Sequence, residues 1–154
     1  VDVLDDNINL TLLKSALAPD MTADRGRQEF TYAFYFWDTP FIESGLVQQG
    51  YELNVPPLKH AGSAESRSFF ELDRSNIILD TAKPAEDGSG DLVLRLYESM
   101  STRTCARLAI DLPVKKVQLT DMLEQFKAEL ELRDGTVQLE FGPFEILTLR
   151  LVME

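Results

Sequence analysis

Short apolar segments with a period of two, each closed by a cluster of turn-forming residues, constrain this chain to an all-β fold. In Ile8-Asn9-Leu10-Thr11-Leu12 the apolar residues recur at every second position, which sets them on one face of a strand. In segment 28–37 both alternating rows are apolar: Phe30, Tyr32, Phe34 and Phe36 form one, and Thr31, Ala33, Tyr35 and Trp37 the other. That pattern predicts a central strand with both faces covered. Alternation predicts further strands at 68–72, 76–83, 91–98, 105–112, 114–119, 136–141 and 145–152. Pro84 with Glu86-Asp87-Gly88-Ser89-Gly90, then Pro113, Asp134-Gly135 and Gly142-Pro143, separate them. Asp134-Gly135 is the strongest hairpin signal, because a type I′ turn needs positive φ at both central positions. Many short strands joined by turns make an antiparallel sandwich or barrel.

Two segments carry helical signals. Thr39-Pro40 offers an N-cap followed by proline at the first helical position, with Phe41, Ile42 and Leu46 following before Gly50 can end the helix. In segment 120–130, Met122, Leu123, Phe126 and Leu130 fit helical spacing as well as a strand pattern, so its type stays open. Segment 56–67, rich in Pro, Gly and Ser, reads as an exposed loop.

At 154 residues with 44% hydrophobic content the chain is sized for one domain, 1–154, with a sizeable core. Its net charge of −11 repels a phosphate backbone, and its basic residues never gather into a run, so nucleic acid is not an expected partner. No apolar stretch reaches the ~18 residues of a membrane span, so no membrane partner is expected. The lone Cys105 cannot form an intrachain disulfide, which favours an intracellular, cytoplasmic setting. The opening Val1, directly in strand-like sequence and without a signal peptide, leads to the expectation of a fragment of a larger protein.

Catalytic and metal chemistry are hard to assemble from these residues. With one His and one Cys, a zinc site of those ligand types is excluded, and no metal ligand is assigned. Asp5-Asp6 and Glu86-Asp87-Gly88 lack the repeated spacing of a calcium loop and read as solvated turns. His60 reads as an exposed loop histidine and Cys105 as a small buried hydrophobe within a strand. There is no glycine-rich phosphate loop and no serine elbow, so no catalytic residue is expected. Aromatics such as Trp37 could stack on a sugar ring, but core packing is the expectation for an all-β domain. The unusual feature is the polar run 19–29, longer than a hairpin needs and set between two apolar strands, a place where binding residues tend to sit.

That run also carries a resemblance. Leu12-Leu13-Lys14-Ser15, Pro19-Asp20, Ala23-Asp24-Arg25-Gly26 and Glu29-Phe30-Thr31-Tyr32-Ala33 come first. Tyr51-Glu52-Leu53-Asn54 with Pro56 and Leu58, and Lys83-Pro84-Ala85-Glu86-Asp87, follow in order. Leu94-Arg95-Leu96-Tyr97-Glu98 and Pro143-Phe144-Glu145-Ile146-Leu147-Thr148-Leu149 complete the series. Together they resemble the carboxy-terminal β domain of glycoside hydrolase family 38 α-mannosidases, of bacterial type, over nearly the whole chain.

The resemblance implies an antiparallel β-sandwich, part of a galactose-mutarotase-like supersandwich, and mostly extended chain at 120–130. It implies a parent enzyme that hydrolyses terminal α-linked mannose with retention, through an Asp nucleophile and a second carboxylic acid. Those residues, and a zinc or other divalent metal that binds sugar hydroxyls, would belong to an amino-terminal catalytic domain of the same polypeptide. The fragment alone is then expected to be inactive, with that domain as its partner and a mannose-containing glycan as the parent's substrate. Arg25 is the positional match for an arginine that some members send towards the bound sugar, with Asp24 and Gly26 shaping its loop. Many members have Pro-His after the strand tyrosine, whereas Tyr35 is followed here by Phe36-Trp37, so the neighbouring surface differs. A mannosylglycerate hydrolase domain, a free-standing carbohydrate-binding module and an interaction domain forming homo-oligomers through open strand edges are the alternatives.

Overall fold

The computed structural model describes residues 1–63 and 65–154, in two compact units, Val1–Phe36 and Trp37–Glu154. In the first unit, β1 (Asp2–Leu4) and β2 (Asn7–Asn9) form a small antiparallel hairpin, with Val3 opposite Ile8 and Asp5 at positive φ in the turn. The strand predicted at Ile8–Leu12 is realised only at its start, and segment 28–37 lies in no ladder. Phe34 and Phe36 are 65% and 84% exposed, against the prediction of a buried central strand. The reason is physical: alternation fixes which way side chains point, but a strand exists only where a neighbour supplies N–H and C=O partners. Among the described residues of this unit the ladder formed is that of the hairpin.

The second unit opens with a 3₁₀ turn, Phe41–Glu43, and helix α1, Leu46–Asn54. The predicted helix is therefore displaced towards the carboxy terminus. Gly45, at φ 67°, separates the turn from the helix, and the Ser44 hydroxyl accepts from Leu46 N at 3.2 Å. Gly50 sits inside α1, which closes only where Val55 N donates to the Tyr51 carbonyl at 2.7 Å. Residues 56–63 and 65–67 are in no element, as a loop requires, and residue 64 of that predicted loop lies outside the described residues.

Beyond the loop two antiparallel sheets pack as a sandwich. One has the order β3 (Phe70–Leu72), β6 (Thr104–Ile110), β10 (Thr136–Phe141), β9 (Leu132–Arg133). The other has the order β4 (Ile77–Pro84), β5 (Leu92–Glu98), β11 (Ile146–Met153), β7 (Val114–Thr120), β8 (Phe126–Leu130). Alternation decides the core: Leu94 and Leu96 of β5, Leu149 and Leu151 of β11 and Val117 of β7 are buried, as are Ala106, Leu108 and Ile110 of β6 and Val137, Leu139 and Phe141 of β10. Burying each such leucine contributes about 2 kcal/mol. Register then turns Arg95 and Tyr97, which sit opposite Thr148 and Ile146, to the other face of the five-stranded sheet.

Segment 120–130 is extended, with a loop between β7 and β8. The Asp121 carboxylate accepts from Leu123 N and Gln125 N, both at 2.9 Å, which closes the loop and displaces any helical turn. Asp134-Gly135 forms the predicted turn, both residues having positive φ. Gly135 is required twice over: a Cβ there would meet the Ile110 carbonyl oxygen at 3.0 Å in addition to the φ of 71°.

Candidate functional site

The loop singled out by sequence lies in the first unit. The Asp20 carboxylate accepts from Thr22 N and the Thr22 hydroxyl, each at 2.8 Å, and these bonds hold Asp20 below the usual carboxylate range. Arg25 N donates to the Thr22 carbonyl at 3.1 Å, closing a turn, and Gly26 follows at φ 128°, a conformation that favours glycine. Asp24 is half-buried and Arg25 is exposed. Arg27 pairs with Glu29, whereas Arg25 forms no ion pair among the described residues. The geometry thus presents a free guanidinium on a turn built by its neighbours.

Other residues considered from sequence fall outside any site. His60 is exposed, its Nδ1 2.9 Å from the Ala61 carbonyl oxygen. Cys105 is exposed on β6, correcting the expectation of burial: Ala106, Leu108 and Ile110 take the inward row, so position 105 must point out. Trp37 is 43% exposed beside Phe41, ring centroids 6.3 Å apart. Among the described residues no cluster of three His, Cys, Asp or Glu side chains could hold a metal ion, and no helix is long and apolar enough to cross a membrane.

The landmark Leu94-Arg95-Leu96-Tyr97-Glu98 acquires a structural explanation in three parts. Leu94 and Leu96 build the core. Glu98, on the same row, is fully buried and organises one end of the sandwich. Its Oε1 accepts from Asn76 Nδ2 at 2.9 Å, Met100 N at 2.8 Å and the Thr102 hydroxyl at 3.1 Å. Its Oε2 accepts from Thr102 N at 3.1 Å and Phe144 N at 3.0 Å. Burial pushes the carboxyl up, but the bonds from Phe144 N, Asn76, Met100 N and Thr102 N outweigh it and bring it down to about 2. Sequence reading missed this role, although Glu98 stands two residues beyond Leu96 in the inward row.

Arg95 and Tyr97 instead line a groove of about 380 Å³ with Asp80, Met122, Phe144 and Ile146. The Tyr51 hydroxyl donates to Asp80 Oδ1 at 2.7 Å and the Thr81 hydroxyl to Oδ2 at 2.8 Å, holding the Asp80 carboxyl below its ordinary value. Tyr97 and Asp80 in turn push the Tyr51 hydroxyl up. Beside the groove the sheet face is covered by ion pairs. Lys83 Nζ meets Glu86 and Glu124, both at 2.6 Å, and Arg150 meets Asp87 and Asp91, both at 2.7 Å. Donors from Ser89, then Arg150, take Asp87 down to about 2. These pairs explain the landmark Lys83-Pro84-Ala85-Glu86-Asp87, whose Ala85 is buried and bonded through its N to the Asp91 carbonyl at 2.9 Å.

Nothing in either arrangement joins a nucleophile to a base; both are suited to holding and positioning groups. The chain is 39% identical to α-mannosidase 2C1 of Homo sapiens and 37% to that of Mus musculus, in each case over 96% of this chain and 15% of the relative. It is 30% identical to α-mannosidase G of Dictyostelium discoideum over 94% of this chain and 14% of that protein. The chain thus spans about 15% of the length of the curated relatives it matches. These relatives are eukaryotic and lend the bacterial-type reading no support. Residues 76–149, which carry most of the two sheets, match the glycosyl hydrolases family 38 C-terminal beta sandwich domain.

Proposed function

We propose that the chain is a non-catalytic carboxy-terminal domain of a longer retaining α-mannosidase, an enzyme that hydrolyses terminal α-linked mannose. The observation that carries this is similarity over nearly the whole chain to proteins named α-mannosidase, each many times its length. A structural role agrees with a molecule whose polar networks, at Glu98 and around Lys83 and Arg150, fix loops and strands and leave no acid paired with a nucleophile. In the complete enzyme Arg25 reaches towards the sugar site from its turn, with Asp24 and Gly26 shaping the loop. Support for that finer reading is the exposed, unpaired guanidinium beside an arginine already tied to Glu29. Zinc or another divalent metal, the catalytic carboxylates and the glycan site belong to the amino-terminal catalytic domain, and the setting is cytoplasmic.

Calorimetry of the 154-residue chain against mannose and an α-linked mannobiose tests whether this is a supporting domain. No saturable heat is expected, because the sugar site is assigned to another domain. Saturable binding at one site would overturn the assignment in favour of a free-standing carbohydrate-binding module.

A further inference from the structure

The unit Val1–Phe36 has no core of its own. Asp24 is half-buried and every other residue in the unit is exposed, among them Leu4, Ile8, Leu17, Phe30, Phe34 and Phe36 at 64%, 60%, 80%, 46%, 65% and 84%. Below about 40 residues a unit needs a disulfide, a metal or a partner to hold its fold. Residues 1–36 contain no Cys and no His. Among the described residues no cluster of three His, Cys, Asp or Glu side chains could hold a metal ion, so the support left to this unit is a partner.

Segment 30–36 supplies the second observation. Among the described residues no ladder includes it, yet it is already laid out as a strand. Tyr32 and Phe34 stand edge to face on one side, ring centroids 6.5 Å apart, close to the rise of two strand residues, about 6.6 Å. One row is Phe30, Tyr32, Phe34 and Phe36, the opposite row holds Thr31 and Ala33, and no charged residue or Pro interrupts the run. A strand without those protective residues, left with open edges and uncovered faces, is an aggregation hazard. We propose that segment 30–36 is a central strand of a β-sheet whose flanking strands, on both of its edges, come from the parent polypeptide preceding Val1. Length and tether select that occupant. The curated relatives extend far beyond the 15% of their length that this chain matches, and the matched sandwich is named for the carboxy-terminal end of its family, which sets the additional length on the amino-terminal side. A strand of the same polypeptide is held at high effective concentration and is synthesised before residues 30–36, whereas a second copy must find the edge by diffusion while aggregation competes. The turn of Asp24, Arg25 and Gly26 leads into this segment, so the same pairing steadies the loop that carries Arg25. The inference rests on reading the chain as a domain of a longer polypeptide, and not on the reaction which that polypeptide catalyses.

Hydrogen exchange at single-amide resolution tests the strand in the complete polypeptide, where slow amides of β11 record a folded sandwich. Successive N–H groups of a strand point to opposite edges, so a central strand protects every amide and an edge strand every other one. The amides of 31–36 are expected to exchange at least about 100-fold more slowly than in an unstructured peptide, without alternation. With p-benzoylphenylalanine in place of Phe34, photolysis should give a crosslink to a segment preceding Val1. Fast exchange, or protection of alternate amides alone, would overturn the central strand. No adduct outside residues 1–154, or an adduct joining a light copy to an isotope-labelled one in a mixed sample, would overturn the partner. Mannoside hydrolysis by the same preparation separates this claim from the enzymatic one. An inactive protein with 31–36 protected defeats the enzymatic reading alone, and an active one with 31–36 exchanging freely defeats the strand alone.

Discussion

Replacing Glu98 with alanine is expected to cost the 154-residue chain at least about 3 kcal/mol of stability, because buried donors left without an acceptor each cost on the order of 1–3 kcal/mol. The side chain is fully buried and serves donors from Asn76, Met100, Thr102 and Phe144, so its removal unties three connections at once. Glu98→Gln keeps the size but turns an amide N–H₂ towards groups that are themselves donors, and should recover only part of the loss. Urea unfolding measures both; a loss below about 1 kcal/mol for the alanine variant, no more than an ordinary hydrogen bond, would show that the network is not a fixed part of the fold.

Acid sharpens the same prediction. A glutamate carboxyl is ordinarily near pH 4.5, and Glu98 is held at about 2 in the folded state. A depressed value means that the unfolded chain takes up the proton first. The stabilisation is therefore fully present above about pH 4.5 and is lost as pH falls towards 2. Asp87, also at about 2, adds to the decline in the same direction, though its half-exposed side chain screens its share. The wild-type chain should lose stability across that window, and Glu98→Gln should flatten the curve while starting from a lower plateau.

The second large effect concerns the intact enzyme. Arg25→Ala should lower kcat/KM for an α-mannoside by about 10- to 100-fold, the equivalent of one charge-assisted hydrogen bond to the sugar or to a carboxylate that acts on it. Arg25→Lys should recover little, since a point charge does not reproduce the planar fork. The melting temperature should not move, because Arg25 is exposed and its only bond in the described structure is through backbone N. Unchanged kcat and KM in Arg25→Ala would remove this residue from the site.

The sandwich was legible in the sequence because its strands bury one row each, and alternation reports that directly, as in Val137, Leu139 and Phe141. Segment 28–37 alternates more strongly and forms no ladder, since periodicity carries no information about a pairing partner. Segment 120–130 was ambiguous because Met122, Leu123 and Phe126 fit a helix; the Asp121 carboxylate, which binds its own loop, settled it. Gly45 displaced the helix by taking positive φ, which the Thr39-Pro40 cap signal could not foretell. At the site level, the loop of Asp24, Arg25 and Gly26 came from motif order, whereas Glu98 and Arg95 were read only as parts of a landmark. Their opposite roles follow from row: Glu98 shares the inward row of Leu94 and Leu96, and Arg95 the outward row of Tyr97. The inward glutamate was the available signal, because a carboxylate in a core row must be bonded or it would not be there.

The central claim, that the chain is a domain of a retaining α-mannosidase, is tested most directly by the anomeric form of the first sugar released. The complete polypeptide, supplied with divalent metal and 4-nitrophenyl α-mannoside, should release mannose, and proton NMR in the first minutes should show the α anomer before mutarotation. A folded polypeptide that releases no mannose, or that yields the β anomer first, would contradict it.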